Sequence, residues 1–77
     1  MRMTLAPGEV FEHTHHYHSV TMLLEGSVDL LMGGTRTSMQ PGVPVAVDAN
    51  VPHTMVNVGR GVAALECVHK QGDPPPA

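Results

Sequence analysis

Several things are scarce in this chain, and each scarcity excludes something. There is one cysteine, Cys67, so no disulfide can brace the 77 residues from within, and a lone thiol suits a reducing, cytoplasmic setting. Only four residues are Lys or Arg (Arg2, Arg36, Arg60 and Lys70), they are scattered, and the net charge is −3. The basic footprint that a phosphate backbone requires is missing, so nucleic acid is not an expected partner. No apolar run approaches the roughly 18 residues of a membrane span, and the opening "MRMTLAPGEV" lacks the apolar stretch of a signal peptide. Tryptophan is absent, and Phe and Tyr occur once each. Six methionines are left to fill the interior as soft packing, and none forms a tight paired motif beside a histidine. So small a domain buries only about 60% of the surface its unfolded chain exposes, so a metal or a partner subunit is the expected support.

Long helical periods are also missing. What is present is a series of short Val-, Leu-, Thr- and Met-rich runs cut by turn residues: "APGE" at 6–9, "EGS" at 25–27, "GG" at 33–34, "QPG" at 40–42, "DANVP" at 48–52 and "GRG" at 59–61. Between them the pattern predicts seven or eight strands, at 2–6, 10–15, 19–24, 27–32, 35–39, 43–47, 53–57 and 62–69. Regular short strands with Gly and Pro turns predict an all-β fold, an antiparallel sandwich or barrel, in one domain over residues 1–70. The tail 71–77, with three consecutive prolines, cannot continue a sheet and is expected to be disordered. Runs such as "VTMLL" and "VPVAV" are apolar on both faces, where a half-exposed strand would alternate. A second copy of the chain covering one face, a homodimer, is the simplest expectation.

Histidine is the residue in excess. "HTHHYHS" holds four of the six, internal and interrupted, unlike a purification tag. On one strand His13 and His15 would share a face, with Cα atoms roughly 6.5–7 Å apart, close enough to converge on one ion. A further histidine, His53, follows a proline turn and opens another strand. Three imidazoles from two strands would make a site with open coordination positions, the pattern of catalytic rather than structural metal centres.

These spacings resemble the cupins. Their first motif, G-x5-H-x-H-x3/4-E-x6-G, corresponds to Gly8, His13, His15, Ser19 and Gly26. Their second, G-x5-P-x-G-x2-H-x3-N, corresponds to Gly42, Asp48, Asn50, His53 and Asn57. The resemblance runs over about residues 6–69 and implies a minimal cupin fold, a small antiparallel β-barrel or jelly roll. Gly8 and His13 are separated by four residues rather than five, and Asp48 and Asn50 replace Pro and Gly, which suits a turn. The larger departure is Ser19, which stands where the motif has a glutamate ligand.

The resemblance implies one divalent transition metal (Fe, Mn, Ni, Cu or Zn) held by His13, His15 and His53. His18 or Ser19 would stand in for the glutamate, His16 would be surface, and Asn57 would either support His53 or pin a turn. A neutral three-histidine set leaves the ion its full charge and suits a small, anionic or oxygen-rich ligand. Glutamate-lacking cupin sites resemble those of some oxygen-using enzymes acting on thiols or diketones. The expected function is a small-molecule metalloenzyme of dioxygenase, isomerase, cyclase or lyase type. The alternative is a ligand-binding or sensing module without turnover. Tyr17 and Arg36 are the candidate substrate contacts, Glu12 is expected to face away from His13, and Cys67 is expected in the core. The front of the chain looks shorter than in typical cupins, which again favours a covering partner.

Overall fold

The computed structural model describes residues 1–69. Lys70 and the proline tail, where the domain boundary at 70 and the disordered segment were expected, lie outside the described residues. Eight strands follow in order: β1 (Arg2–Leu5), β2 (Val10–His13), β3 (Ser19–Glu25), β4 (Val28–Met32), β5 (Thr35–Ser38), β6 (Val45–Val47), β7 (His53–Asn57) and β8 (Ala63–His69). Among the described residues there is no helix, hence none long and apolar enough to cross a membrane.

The strands form two four-stranded sheets, β1-β8-β3-β6 and β2-β7-β4-β5, antiparallel at every pairing. Apart from β4 to β5, each connection passes from one sheet to the other, so the chain winds into a jelly roll. The β4–β5 hairpin closes through Gly33 and Gly34, both at positive φ (59° and 79°), as a two-residue turn that matches the strand twist demands.

Alternation decides the core. On β7, His53, Met55 and Asn57 are buried while Thr54 and Val56 are half-buried on the outer face. On β3, Ser19, Thr21 and Leu23 point inward and Val20, Met22 and Leu24 outward. Leu24 is the extra residue of a bulge, where the register against β8 shifts between Leu23 and Glu25. Leu5, Leu23, Val28, Leu30, Met55 and Leu65 pack into one cluster, each no more than 2% exposed. Glycine is required at 26, where the chain leaves β3. Its φ is +96°, and a Cβ there would lie 2.9 Å from Ala63.

The outer face of the first sheet carries Val20 beside Val68 and Ala46, and Met22 beside Glu66. Glu66 faces outward and pairs with Arg2 at 3.6 Å.

Candidate functional site

One end of the barrel gathers the histidines. His13 closes β2 and His53 opens β7, and the two are direct register partners. Their ring centroids lie 5.9 Å apart, and His15 lies 4.9 Å from each. Two imidazoles bound to one ion at about 2.1 Å have centroids about 4.5–5.2 Å apart, so two of the three separations match that requirement and the third is wider. Among the described residues, no group of three or more His, Cys, Asp or Glu side chains is arranged to hold an ion as it stands. The three rings lie close together, with His13 and His53 the widest pair.

The route to convergence differs from the expected one. β2 ends at His13, so His15 does not share its strand. His15 lies in the β2–β3 connection, whose backbone is held when the Asn50 N–H donates to the His15 carbonyl at 2.7 Å. Its ring stacks on Tyr17 (centroids 4.3 Å, 13° between planes), and its Nδ1 lies 3.1 Å from the Tyr17 carbonyl. His53 does the same thing, Nδ1 lying 3.0 Å from the Val51 carbonyl. A carbonyl oxygen only accepts, so both Nδ1 atoms carry a proton, and in the neutral form of each ring the lone pair is left on Nε2. Histidine ligands are habitually pre-oriented by such bonds. Partial burial, opposed by the bond to Tyr17 and reinforced by the neighbouring His53 and His13, lowers the pKa of His15 below its ordinary 6.5. The donor set therefore fits a metal ion in its chemistry: three imidazoles, two of them oriented by backbone carbonyls.

Ser19, 3% exposed, faces inward, with Oγ 3.5 Å from His15 Nε2. His18 turns away: its Nδ1 accepts the Ala49 N–H at 3.1 Å and lies 3.6 Å from Asp48. Of the two candidate substitutes for the missing glutamate, only Ser19 reaches the site. His16 is exposed, its ring edge on Tyr17.

A cavity of about 250 Å3 opens here, lined by the three histidines, Tyr17 and Ser19 together with Met3, Phe11, Met55, Cys67 and His69. No Asp, Glu, Lys or Arg lines it among the described residues. Cys67, expected in the core, instead borders this space, its sulfur 3.6 Å from Thr21 Oγ1. His69 was not singled out by the sequence. Alternation on β8, with Leu65 and Cys67 facing inward, carries the signal, but the register Ser19↔His69 that uses it is a tertiary fact.

Two expected residues lie elsewhere. Arg36 shares the outward row with Leu31 and donates from Nε to Asp29 Oδ2 at 2.7 Å. That bond, helped by Ser38, holds the Asp29 carboxyl below its usual range. A wider depression of about 460 Å3 beside Arg36 holds no histidine. Asn57 sits four residues beyond His53 on a strand, about 13 Å away. Its amide donates to the Leu5 and Gly61 carbonyls (2.9 and 2.8 Å) and its Oδ1 accepts from Gly59 N–H (2.9 Å), so it pins turns instead of supporting His53.

The cupin-domain family profile matches residues 1–69. No curated protein sequence matches the chain. Among solved structures, a protein of Thermus thermophilus superposes with TM-score 0.79 at 28% identity, over 96% of this chain and 69% of that one. A predicted oxalate decarboxylase of Thermotoga maritima gives 0.77 at 23%, over 87% of this chain, which spans only 60% of that protein. The cupin domain of an XRE-family transcriptional regulator from Enterobacter cloacae gives 0.79 at 20%, over 90% and 77%.

Proposed function

The chain belongs to the cupin domain family, and from that premise we propose that it is a metal-dependent protein acting on a small oxygen-bearing molecule in the histidine-lined cavity. The observation that supports this reading is the pair of Nδ1–H donations to Tyr17 and Val51 carbonyls, which presents two Nε2 lone pairs beside His13. His13, His15 and His53 would hold the ion. When bound, a divalent Fe, Mn, Ni, Cu or Zn ion would supply Lewis-acid polarisation of a ligand oxygen or, for a redox metal, oxygen chemistry. The chain's own residues do the rest. Carbonyl bonds fix the ring orientations, Ser19 offers a hydroxyl where related motifs have a carboxylate, and Tyr17 brings the one phenol to the rim. Phe11, Met3 and Met55 give the cavity an apolar lining.

Elemental analysis of tag-free protein tests this. About one transition metal per chain is expected, lost in His53→Ala and in the exposed-site variant His13→Ala. No metal in the wild type, even after reconstitution, would sink the reading.

A second reading has its own observation. With no carboxylate lining the cavity, proton transfer would fall to the histidines, Tyr17, Cys67 and Ser19, and a cavity so equipped suits ligand binding without turnover. The similar domain of a transcriptional regulator is in keeping with such a sensing role. Oxygen uptake or product formation by the metal-loaded protein separates the two. We also propose that the outer face around Val20, Met22 and Val68 joins two copies in a homodimer, in a reducing compartment that keeps Cys67 free.

A further inference from the structure

His53 is nearly sealed in, at 3% exposed, and its ring is bonded through Nδ1 to the Val51 carbonyl. Its Nε2 makes no hydrogen bond among the described residues, yet no buried side-chain nitrogen or oxygen there is left unpaired. The nitrogen therefore opens onto space, and the space that His53 lines is the cavity. In the neutral ring it is an acceptor.

The other sheet offers the opposite function. Ser19, on β3 and also 3% exposed, holds its hydroxyl 3.5 Å from His15 Nε2, at the outer limit of a hydrogen bond, so its proton is loosely held. An acceptor and a turnable donor thus border one cavity. A single ligand atom satisfies both only if it gives and takes a hydrogen bond, as a hydroxyl oxygen does. A carbonyl or ether oxygen only takes.

Behind these groups the lining is apolar and rich in sulfur. Phe11 pairs with Met55 two positions inward of the His13–His53 pair, and Met3 and Cys67 contribute from the other sheet. A phenyl face and polarisable sulfurs favour an aromatic ring over an aliphatic one. About 250 Å3 accommodates about eight groups at roughly 30 Å3 each, enough for one six-membered ring and its hydroxyl.

Charge narrows the class. No Asp, Glu, Lys or Arg side chain lines the cavity among the described residues, and the Met1 ammonium is exposed and donates to the Cys67 carbonyl at 2.6 Å. A cation would enter unpaired. An anion would face lone pairs unless a ring took up a proton, which costs more the further pH lies above about 6.5. An uncharged ligand meets neither cost.

Resting on the second reading above, ligand binding without turnover, we propose that the cavity takes a small uncharged phenol. Its hydroxyl donates to His53 Nε2 and accepts from Ser19 Oγ, and its ring lies against Phe11, Met55 and Met3.

The test titrates the full chain, freed of metal by chelator, at about pH 8 with phenol, toluene, cyclohexanol, benzoate and benzylamine. Long-range proton–nitrogen NMR spectra follow the imidazole nitrogens, and phenol should move the His53 Nε2 signal saturably. Toluene, similar in size without the donor, should bind about fivefold more weakly than phenol. Cyclohexanol should bind about threefold more weakly, and benzoate and benzylamine at least about tenfold. Ser19→Ala should lose about fivefold in phenol affinity and leave toluene unchanged. His53→Phe should erase the preference for phenol over toluene, and Ser19→Ala carries the test if that variant does not fold. If any of the other four compounds matches phenol, or Ser19→Ala binds phenol like the wild type, the ligand class is wrong while the cavity remains a binding site. If none of the five moves a cavity resonance, the ligand-binding reading fails and takes this proposal with it.

Discussion

At the residue scale, the site is set by hydrogen bonds that a motif cannot display. Cupin spacing marks His13, His15 and His53, but the tautomer of two of them follows from the Tyr17 and Val51 carbonyls. His15 also makes a pH prediction. Folding holds its pKa below 6.5, so between 6.5 and that lowered value the unfolded chain binds the proton and the folded chain does not. Unfolding is then favoured as pH falls, so metal-free protein should lose stability once pH drops below about 6.5, with the His15 contribution intact above it. Urea midpoints at about pH 7.5 and about pH 5.5 should show the drop, and His15→Gln should flatten it. An equal drop in the variant would assign the effect to other groups. Asn57 is the opposite kind of residue, a motif position whose work is structural. Asn57→Ala strands two carbonyls and one N–H in a residue environment 1% exposed. A loss of about 3 kcal/mol by denaturant unfolding is expected, with metal content per folded chain unchanged.

At the element scale, turns were easier to place from sequence than strand ends. Seven of the eight strands fall within the expected segments and β3 overruns its own by one residue, to Glu25, because most of the turns rest on positive φ or a missing N–H, which are local requirements. The end of β2 was misjudged by two residues, since nothing local stops a strand at His13 rather than His15; the stop is imposed by the passage to the other sheet. Two glycines show how local and tertiary demands differ. Gly33 has φ 59° with open space around it, whereas Gly26 has φ +96° and Ala63 at 2.9 Å. Gly26→Ala should cost about 2–4 kcal/mol and Gly33→Ala about 1 kcal/mol, measured side by side by thermal unfolding. Equal costs would mean that backbone conformation alone, not the approach of β8, constrains position 26.

At the scale of the whole molecule, two sheets share one core, which leaves each with an outer face. The second sheet's outer rows mix Glu12, Thr54 and Arg36 with their apolar residues. The first sheet presents Val20, Met22 and Leu24 half-buried and Val68 51% exposed, with Ala46 and Ala64 beside them and the Glu66–Arg2 ion pair at one side of the same face. A small domain gains most from covering such a face with a second copy. Val20→Lys should therefore shift the protein toward single chains in sedimentation equilibrium, and Val56→Lys on the opposite sheet should not. Wild-type protein that sediments as a single chain at high micromolar concentration would overturn the dimer.

Parity and punctuation in the sequence were enough for an all-β antiparallel fold, since period-2 alternation and turn chemistry are properties of a few neighbouring residues, and two motifs in order were enough for the cupin family and its jelly roll. Parity along one strand could be read, as on β7, where His53, Met55 and Asn57 all turn inward. What lay across from each strand could not. Arg36 faces outward beside Leu31, Glu66 pairs with Arg2, and His69 comes level with Ser19 because of registers formed between residues up to 64 positions apart. Side-chain direction is local, but pairing depends on which alignment of two sheets buries the most apolar surface, and that is settled only when the barrel closes.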